Sequence, residues 1–127
     1  MSRWIAMLGA VALLAACSGT KTQMIAANAH APITGPVLVV KGPLPEQVKY
    51  EVIAQVKAVR ARYGKADVAL RMLANQARAL GCDAVIEVDT WFSPTIGAWA
   101  SPHAQGKAVR ITNRDSAGDL SQVGLTF

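Results

Sequence analysis

The chain has 127 residues, 52% of them apolar and 17% charged, with 13 basic and 8 acidic side chains and two cysteines. This length and composition exclude a multidomain protein and a disordered one, so one small domain is expected. Six Trp, Tyr and Phe side chains lie beyond residue 20, which is enough for one modest core.

The N-terminal segment has the pattern of a secretion signal. Arg3 supplies a positive start, and residues 4–16 form an uncharged apolar run of 13 residues. A run of this length is too short to span a bilayer but suits the apolar region of a signal peptide. We therefore predict a signal peptide over residues 1–16 and leave it out of the fold.

The end of that run resembles the lipobox of bacterial lipoproteins, because Leu14, Ala15 and Ala16 precede Cys17. The resemblance implies cleavage between Ala16 and Cys17, lipidation of the Cys17 thiol, and acyl chains such as palmitate that hold the protein on a membrane. Ser18 implies, by the same resemblance, the outer membrane with the domain facing the periplasm. The alternatives are an ordinary signal with a chance cysteine and a buried N-terminal helix.

The next segments are predicted from composition. Residues 17–35 are polar or Ala-rich with no sustained period, which predicts a lipidated cysteine followed by a flexible tether. Residues 37–41 (VLVVK) are short, β-branched and apolar and predict a strand, which Pro43 and Pro45 must end.

Residues 49–60 alternate and predict a long strand with one buried face. The predicted buried face comprises Tyr50, Val52, Ala54, Val56 and Ala58, while Ile53 and Val59 interrupt the polar face of Glu51, Gln55 and Lys57.

After Gly64 the period changes to that of a helix. Its apolar stripe comprises Ala66, Ala69, Leu70, Leu73, Ala77 and Leu80. Asp67 is favourable at the N-terminal end of the helix, where the helix dipole is positive. Gly81 can adopt the left-handed conformation that commonly ends a helix. We expect Leu73 and Leu80 to meet Val52, Val56, Ile86 and Val88.

A third strand is predicted where Ala84, Ile86 and Val88 alternate with Glu87 and Asp89. A loop over residues 93–102, a fourth strand over 105–112, and a loose tail or last edge strand over 113–127 follow. The order β-β-α-β-β predicts an α+β two-layer sandwich over residues 36–112: a small mixed sheet of about four strands with one helix on one face. The strand-helix-strand step predicts parallel neighbours, and the step across residues 93–102 predicts an antiparallel pair.

Three short stretches resemble the small YbjQ-type domain family, once labelled heavy-metal-binding, to which RcsF is also similar. They are residues 50–53 (YEVI), 77–85 (ARALGCDAV) and 106–109 (GKAV), within a resemblance covering residues 37–111. The resemblance implies self-association. Cys82 replaces the usual alanine, and the cysteines of the two RcsF disulfides are absent.

Two features of the charged and sulfur-containing side chains have alternative interpretations. Lys57, Arg60, Arg62 and Lys65 would face anionic lipid or an acidic partner, or else be the solvated side of a sheet edge. With Cys17 lipidated, Cys82 is the one thiol left, so no intramolecular disulfide forms. Cys82 is expected to be a buried small hydrophobe, the alternative being a reactive or intermolecular thiol.

No nucleotide loop, metalloprotease motif or C-x-x-C is present, so no enzyme and no cofactor are predicted. Cys82, Asp83 and either His103 or His30 are the best candidates for a nucleophilic catalytic group, but nothing in their sequence spacing brings them together. No metal site is assigned, although Cys82, Glu87, Asp89 and His103, with Asp83 and His30, are weak candidate ligands.

Residues 91–102 place three aromatics and two prolines on one predicted loop. Trp91, Phe92, Ile96 and Trp99 are covered either by the domain's own core or by a partner subunit, another envelope protein or the lipid interface. The sequence thus predicts a lipid-anchored envelope protein, working as a non-enzymatic interaction, structural or stress-sensing module without nucleic acid. The alternative is a periplasm-facing metal-binding lipoprotein.

Overall fold

The computed structural model describes residues 19–96 and 98–127. These residues form one helix and six strands: β1 (Gly19–Met24), β2 (Leu38–Val39), β3 (Tyr50–Val59), α1 (Ala66–Ala79), β4 (Ala84–Thr95), β5 (Ala98–Ile111) and β6 (Leu125–Thr126). The predicted signal peptide, its cleavage position and Cys17 lie outside the described residues. Within the described ranges, no helix is both long and apolar enough to cross a bilayer.

The strands form one open mixed sheet in the order β1-β3-β5-β4-β2-β6. Only the pairing of β2 with β4 is parallel, and the other neighbours are antiparallel. The α+β class with one helix packed on the sheet is therefore confirmed for the described residues. The expected number of about four strands is wrong, because β1 and β6 extend the two edges.

Strand β1 lies in the segment predicted to be a flexible tether. It pairs with β3 from Gly19 opposite Val59 to Met24 opposite Ala54. The chain then follows the end of α1, where the His30 amide donates to the Leu80 carbonyl at 3.1 Å. Over residues 19–24 the tether prediction is therefore wrong, because backbone pairing along an exposed edge needs no apolar side-chain period.

The predicted adjacency of the two strands flanking the helix is also wrong. Strands β3 and β4 run in the same direction, but β5 lies between them and pairs antiparallel with both. The predicted antiparallel step is confirmed, although the predicted loop of residues 93–102 belongs mostly to the strands. Strands β4 and β5 continue as a hairpin until Thr95 pairs with Ala98.

The helix follows the predicted phase. Its buried residues are Ala69, Leu70, Leu73, Ala74 and Ala77. It ends at the predicted glycine: Gly81 has φ +77°, its amide donates to the Arg78 carbonyl at 3.2 Å, and the Cys82 amide donates to the Ala77 carbonyl at 2.8 Å. These paired bonds form a Schellman motif, which satisfies the last carbonyls of the helix.

Apolar side chains pack on both faces of the sheet. The helix-side cluster contains Leu73, Ile53, Val56, Val85 and Val88 among its members. On the other face, Ile86, Val109 and Ile111 pack beneath the loops that carry Leu44, Val48, Ala117 and Leu120. The sheet is thus covered on both sides at the end where β3 begins.

Two register shifts decide which residues reach each cluster. One lies between Val52 and Ala54, and the other between Ile86 and Asp89, where Glu87 has φ +52°. A bulge adds a residue and changes the alternation beyond it. The prediction that Leu73 and Leu80 meet Val56 and Val88 is therefore confirmed at the level of the shared cluster, but Val52 and Ile86 belong to the opposite face.

Candidate functional site

The β4–β5 hairpin projects beyond the rest of the sheet. Its last described pair is Thr95 with Ala98, and residues 96 and 97 join the strands. The side chains of Thr95 and Ser101 are bonded across the hairpin, with 2.6 Å between their hydroxyl oxygens. Paired strands with a cross-strand bond hold the predicted contact residues on a defined backbone instead of a loop.

The end of this hairpin carries large apolar side chains in solvent. Ile96 is 105% exposed, Trp99 83% and Phe92 53%, and the neighbouring Tyr63 is 60% exposed. The Tyr63 hydroxyl accepts a hydrogen bond from the Trp99 amide at 3.2 Å, which joins the β3–α1 loop to the hairpin. We call Phe92, Ile96, Trp99 and Tyr63 the hairpin tip.

The domain's own core does not cover the tip. Of the two interpretations of the aromatic stretch, coverage by the core is therefore wrong for Phe92, Ile96 and Trp99. Tyr63 was missed by sequence reasoning because it lies 29 residues before Phe92 in a separate segment. A tyrosine inside a run of basic residues is the only signal that would have drawn attention to it.

Trp91 has a different environment from the tip. It is half-buried, and its ring stacks on that of His103 with centroids 5.3 Å apart and an interplanar angle of 17°. The Lys57 ammonium lies 5.9 Å from the centroid of Trp91, and His103 Nε2 lies 2.7 Å from the Ser93 hydroxyl oxygen. Trp91 is thus part of the sheet surface, whereas Trp99 is free to contact another molecule.

Four cations lie within nine residues in the segment that contains Tyr63: Lys57, Arg60, Arg62 and Lys65, which we call the basic cluster. Lys57 belongs to β3, and the other three precede α1. The sheet-edge interpretation of Lys57 is wrong, because β3 lies between β1 and β5. Across residues 19–96 and 98–127, no salt bridge includes any of the four.

Cys82 lies far from the tip. It is fully buried in the helix-side cluster, and this burial, followed in size by the negative charge of Asp83, raises the pKa of its thiol to about 12. The thiol is consequently protonated at neutral pH and is a poor nucleophile or metal ligand. The prediction of a buried small hydrophobe is confirmed.

The remaining candidate ligands are dispersed. Asp83 accepts a hydrogen bond from the Ile111 amide at 2.9 Å, and Glu87 forms a 2.7 Å salt bridge with Lys107, an ion pair that raises the pKa of Lys107. His103 pairs with Trp91 at the other end of β4, and His30 lies 3.7 Å from Glu51. In the part of the chain that the structure describes, no three His, Cys, Asp or Glu side chains are placed to hold one metal ion.

The fold also separates Cys82 from His103, one of the two histidines considered with it for nucleophilic catalysis. Cys82 precedes β4, while His103 lies opposite Trp91, nine residues further along, which corresponds to about 30 Å of extended strand. His30 packs beside Gly81, the residue before Cys82, at the end of the helix, but Cys82 itself is fully buried. The structure therefore does not bring Cys82 and His103 together.

Comparison with known proteins adds no relative: no family model, no curated protein and no solved structure matches the chain.

Proposed function

We propose that this chain is a lipid-anchored protein of the cell envelope that works as a non-enzymatic interaction, structural or stress-sensing module. Exposure of three large apolar side chains at the end of one hairpin is the observation that carries the proposal. Exposed apolar groups concentrated in one place are typical of a contact surface, because leaving them in water lowers solubility. The outer membrane, with the domain in the periplasm, is the proposed location.

The lipid anchor in this proposal rests on the four residues that end at Cys17. The similarity to YbjQ-type domains stays a proposal resting on three short stretches, and self-association is proposed with it. The metal-binding alternative receives no support from the positions of Cys82, Glu87, Asp89 and His103, which the fold separates or uses in other contacts.

Replacement of Cys17 tests the anchor. In cells producing the full chain, the parent protein should be in the membrane fraction, and its N-terminal peptide should carry the mass of acyl chains on Cys17. The Cys17→Ala variant should lose that mass and keep its signal peptide uncleaved. The matched control is Cys82→Ala, which should behave like the parent because Cys82 is enclosed in the core.

A Cys17→Ala protein that is processed normally and remains in the membrane fraction would contradict the lipid anchor. Covalent crosslinking from residue 99 in cells then tests the contact surface. Under the proposal, residue 99 yields adducts, whereas a crosslinker at exposed Asp115, at the opposite end of the domain, does not.

A further inference from the structure

The first described residue lies at the same end of the sheet as the hairpin tip. Gly19 pairs with Val59, Val59 pairs with His103, and His103 pairs with Trp91, so these four residues form one row across β1, β3, β5 and β4. With strands about 4.8 Å apart, Gly19 is about 14 Å from Trp91 along this row. The hairpin continues beyond the row in the direction from which the chain enters β1.

Distances along the chain show how far Cys17 and the tip extend beyond this row, measured along the strand direction. Cys17 is two residues before Gly19, so covalent geometry keeps their α-carbons within about 7 Å. Trp99 is four residues beyond the row, about 13 Å of strand, and Ile96 follows the end of β4 at Thr95. Trp99 therefore lies about 6 Å further along the strand direction than Cys17 can reach, and interfacial segments are buried to about 5 to 10 Å.

Charge around the tip has one dominant sign. Arg62 and Lys65 are exposed and flank Tyr63 in sequence, whereas Lys57 and Lys21, which pair across β1 and β3, lie two residues from the row on the side away from the tip. Asp67 and Asp89 are the acidic residues nearest to the tip in sequence. The exposed positive charge beside Tyr63 favours an anionic surface. Each lysine or arginine close to such a membrane strengthens binding several-fold.

We propose that the hairpin tip inserts into the interfacial region of the same membrane that holds Cys17, with Arg62 and Lys65 of the basic cluster against anionic headgroups. The inference rests on the proposed lipid anchor and names the occupant of the contact surface. Trp and Tyr rings suit this region because an apolar body is joined to a polar group. A protein partner would fit the apolar tip as well, but it would have to bind within the narrow space beside the anchor.

Depth-dependent quenching of a single tryptophan tests the insertion. The full chain is reconstituted by its anchor into vesicles of phosphatidylethanolamine and phosphatidylglycerol that carry bromine near the top of the acyl chains. One variant, Trp4→Phe with Trp91→Phe, retains Trp99; the matched variant, Trp4→Phe with Trp99→Phe, retains Trp91. Trp99 should be quenched several-fold more strongly than Trp91 by the brominated lipid, and weakly by aqueous iodide.

Either of two results for anchored protein would overturn the insertion. Trp99 quenched by iodide and not by lipid bromine lies in water, and Trp99 shielded from both quenchers is covered by protein. In both cases acylated Cys17 shows that the anchor stands. Protein that carries no acyl chain and does not stay with the vesicles instead contradicts the proposed function.

Two double variants test whether the basic residues beside the tip face the membrane. Arg62→Gln with Lys65→Gln should lower the inserted-to-free ratio of the tip roughly 30-fold in anionic vesicles. Lys49→Gln with Arg110→Gln removes two exposed cations at the opposite end of β3 and β5 and should leave quenching of Trp99 unchanged. Equal effects of the two pairs would contradict a basic cluster directed at the membrane.

Discussion

The side-chain amide of Gln76 on α1 donates a hydrogen bond to the hydroxyl of Thr22 on β1. Its carbonyl oxygen also accepts a hydrogen bond from the Thr20 hydroxyl at 3.0 Å. One glutamine therefore joins the helix to alternate residues of the edge strand. Together with the pairing to β3, these bonds make β1 part of the folded domain.

The first prediction concerns this contact. Gln76→Ala should weaken the attachment of β1, because each lost hydrogen bond contributes about 0.5 to 1.5 kcal/mol. Amide hydrogen exchange in β1 should become about 10-fold faster, while exchange in β4 changes little. Asn75→Ala is the control, since Asn75 is exposed and its bonded partner is Arg78 on the same helix. Equal acceleration in the two variants would show that Gln76 does not hold the strand.

The second prediction concerns the glycine opposite the second bulge. A β-carbon on Gly106 would lie 2.8 Å from Cγ1 of Val85 and 2.8 Å from Cγ2 of Val88, which is too close without movement of the core. Gly106→Ala should therefore lower the free energy of unfolding by about 1 to 3 kcal/mol in chemical denaturation. Gly35→Ala meets no atom within 4 Å and should change it by less than about 0.5 kcal/mol.

A second substitution tests whether a clash with Val88 causes the destabilisation by Gly106→Ala. Val88→Ala removes one of the two clashing methyl groups, so the combination with Gly106→Ala should be less destabilised than the sum of the two single variants. Strict additivity would mean that the clash with Val88 is not the reason.

The third prediction concerns the helix phase. Leu73 is completely buried in the helix-side cluster, so Leu73→Ala should cost about 2 to 5 kcal/mol of unfolding free energy. Arg71 is exposed, and its guanidinium lies 5.9 Å from the centroid of the Phe127 ring. Because such a contact is worth no more than about 1 kcal/mol, Arg71→Ala should cost no more than that. Thermal or urea unfolding should separate the two variants clearly. Similar losses at both positions would contradict the assignment of the buried face.

The fourth prediction concerns the pH dependence of stability. Burial raises the pKa of the Cys82 thiol from 9.0 to about 12, so the folded state favours the protonated thiol. This contribution is present in full below about pH 9 and is lost as the pH rises towards 12, at about 1.4 kcal/mol per pH unit. Between about pH 9 and 10.5, the parent should lose about 2 kcal/mol more than Cys82→Ala.

Thiol reactivity gives an independent measurement of the same burial. At neutral pH, a thiol reagent should modify Cys82 in the folded protein only at the rate at which the domain opens. Modification should become rapid in denaturant. Rapid modification of the folded protein would show that Cys82 is accessible, and parallel pH profiles for the parent and Cys82→Ala would contradict the raised pKa.

The sequence predicts those elements whose side chains carry a clear period. The apolar stripe of α1 and its stop at Gly81 are confirmed because burial on one face imposes a regular spacing. Strand β3 is confirmed as a strand, and its predicted buried face holds from Ala54 to Ala58, whereas Tyr50 is exposed. Strand β1 has no such spacing: it is an edge strand with polar side chains, held by backbone pairs and by Gln76. Pairing of this kind leaves little trace in local composition.

The bulges explain the errors in the predicted core. A strict alternation places Val52 with Val56, and Ile86 with Val88, but an extra residue between the members of each pair reverses their faces. The candidate site is predictable as a concentration of aromatic residues. Its exposure is not, because that depends on how far the hairpin extends beyond the sheet. Tyr63 joins it only through the fold.

The six residue pairs between β1 and β3 also have a mechanical consequence. A force that pulls on the chain at the Gly19 end acts along the axis of β1, parallel to the strand and perpendicular to its backbone hydrogen bonds. The bonds are therefore loaded in shear and share the load, whereas a force applied across the strand would break them one after another. Tension on a membrane anchor preceding Gly19 would accordingly be carried into the centre of the sheet through β3.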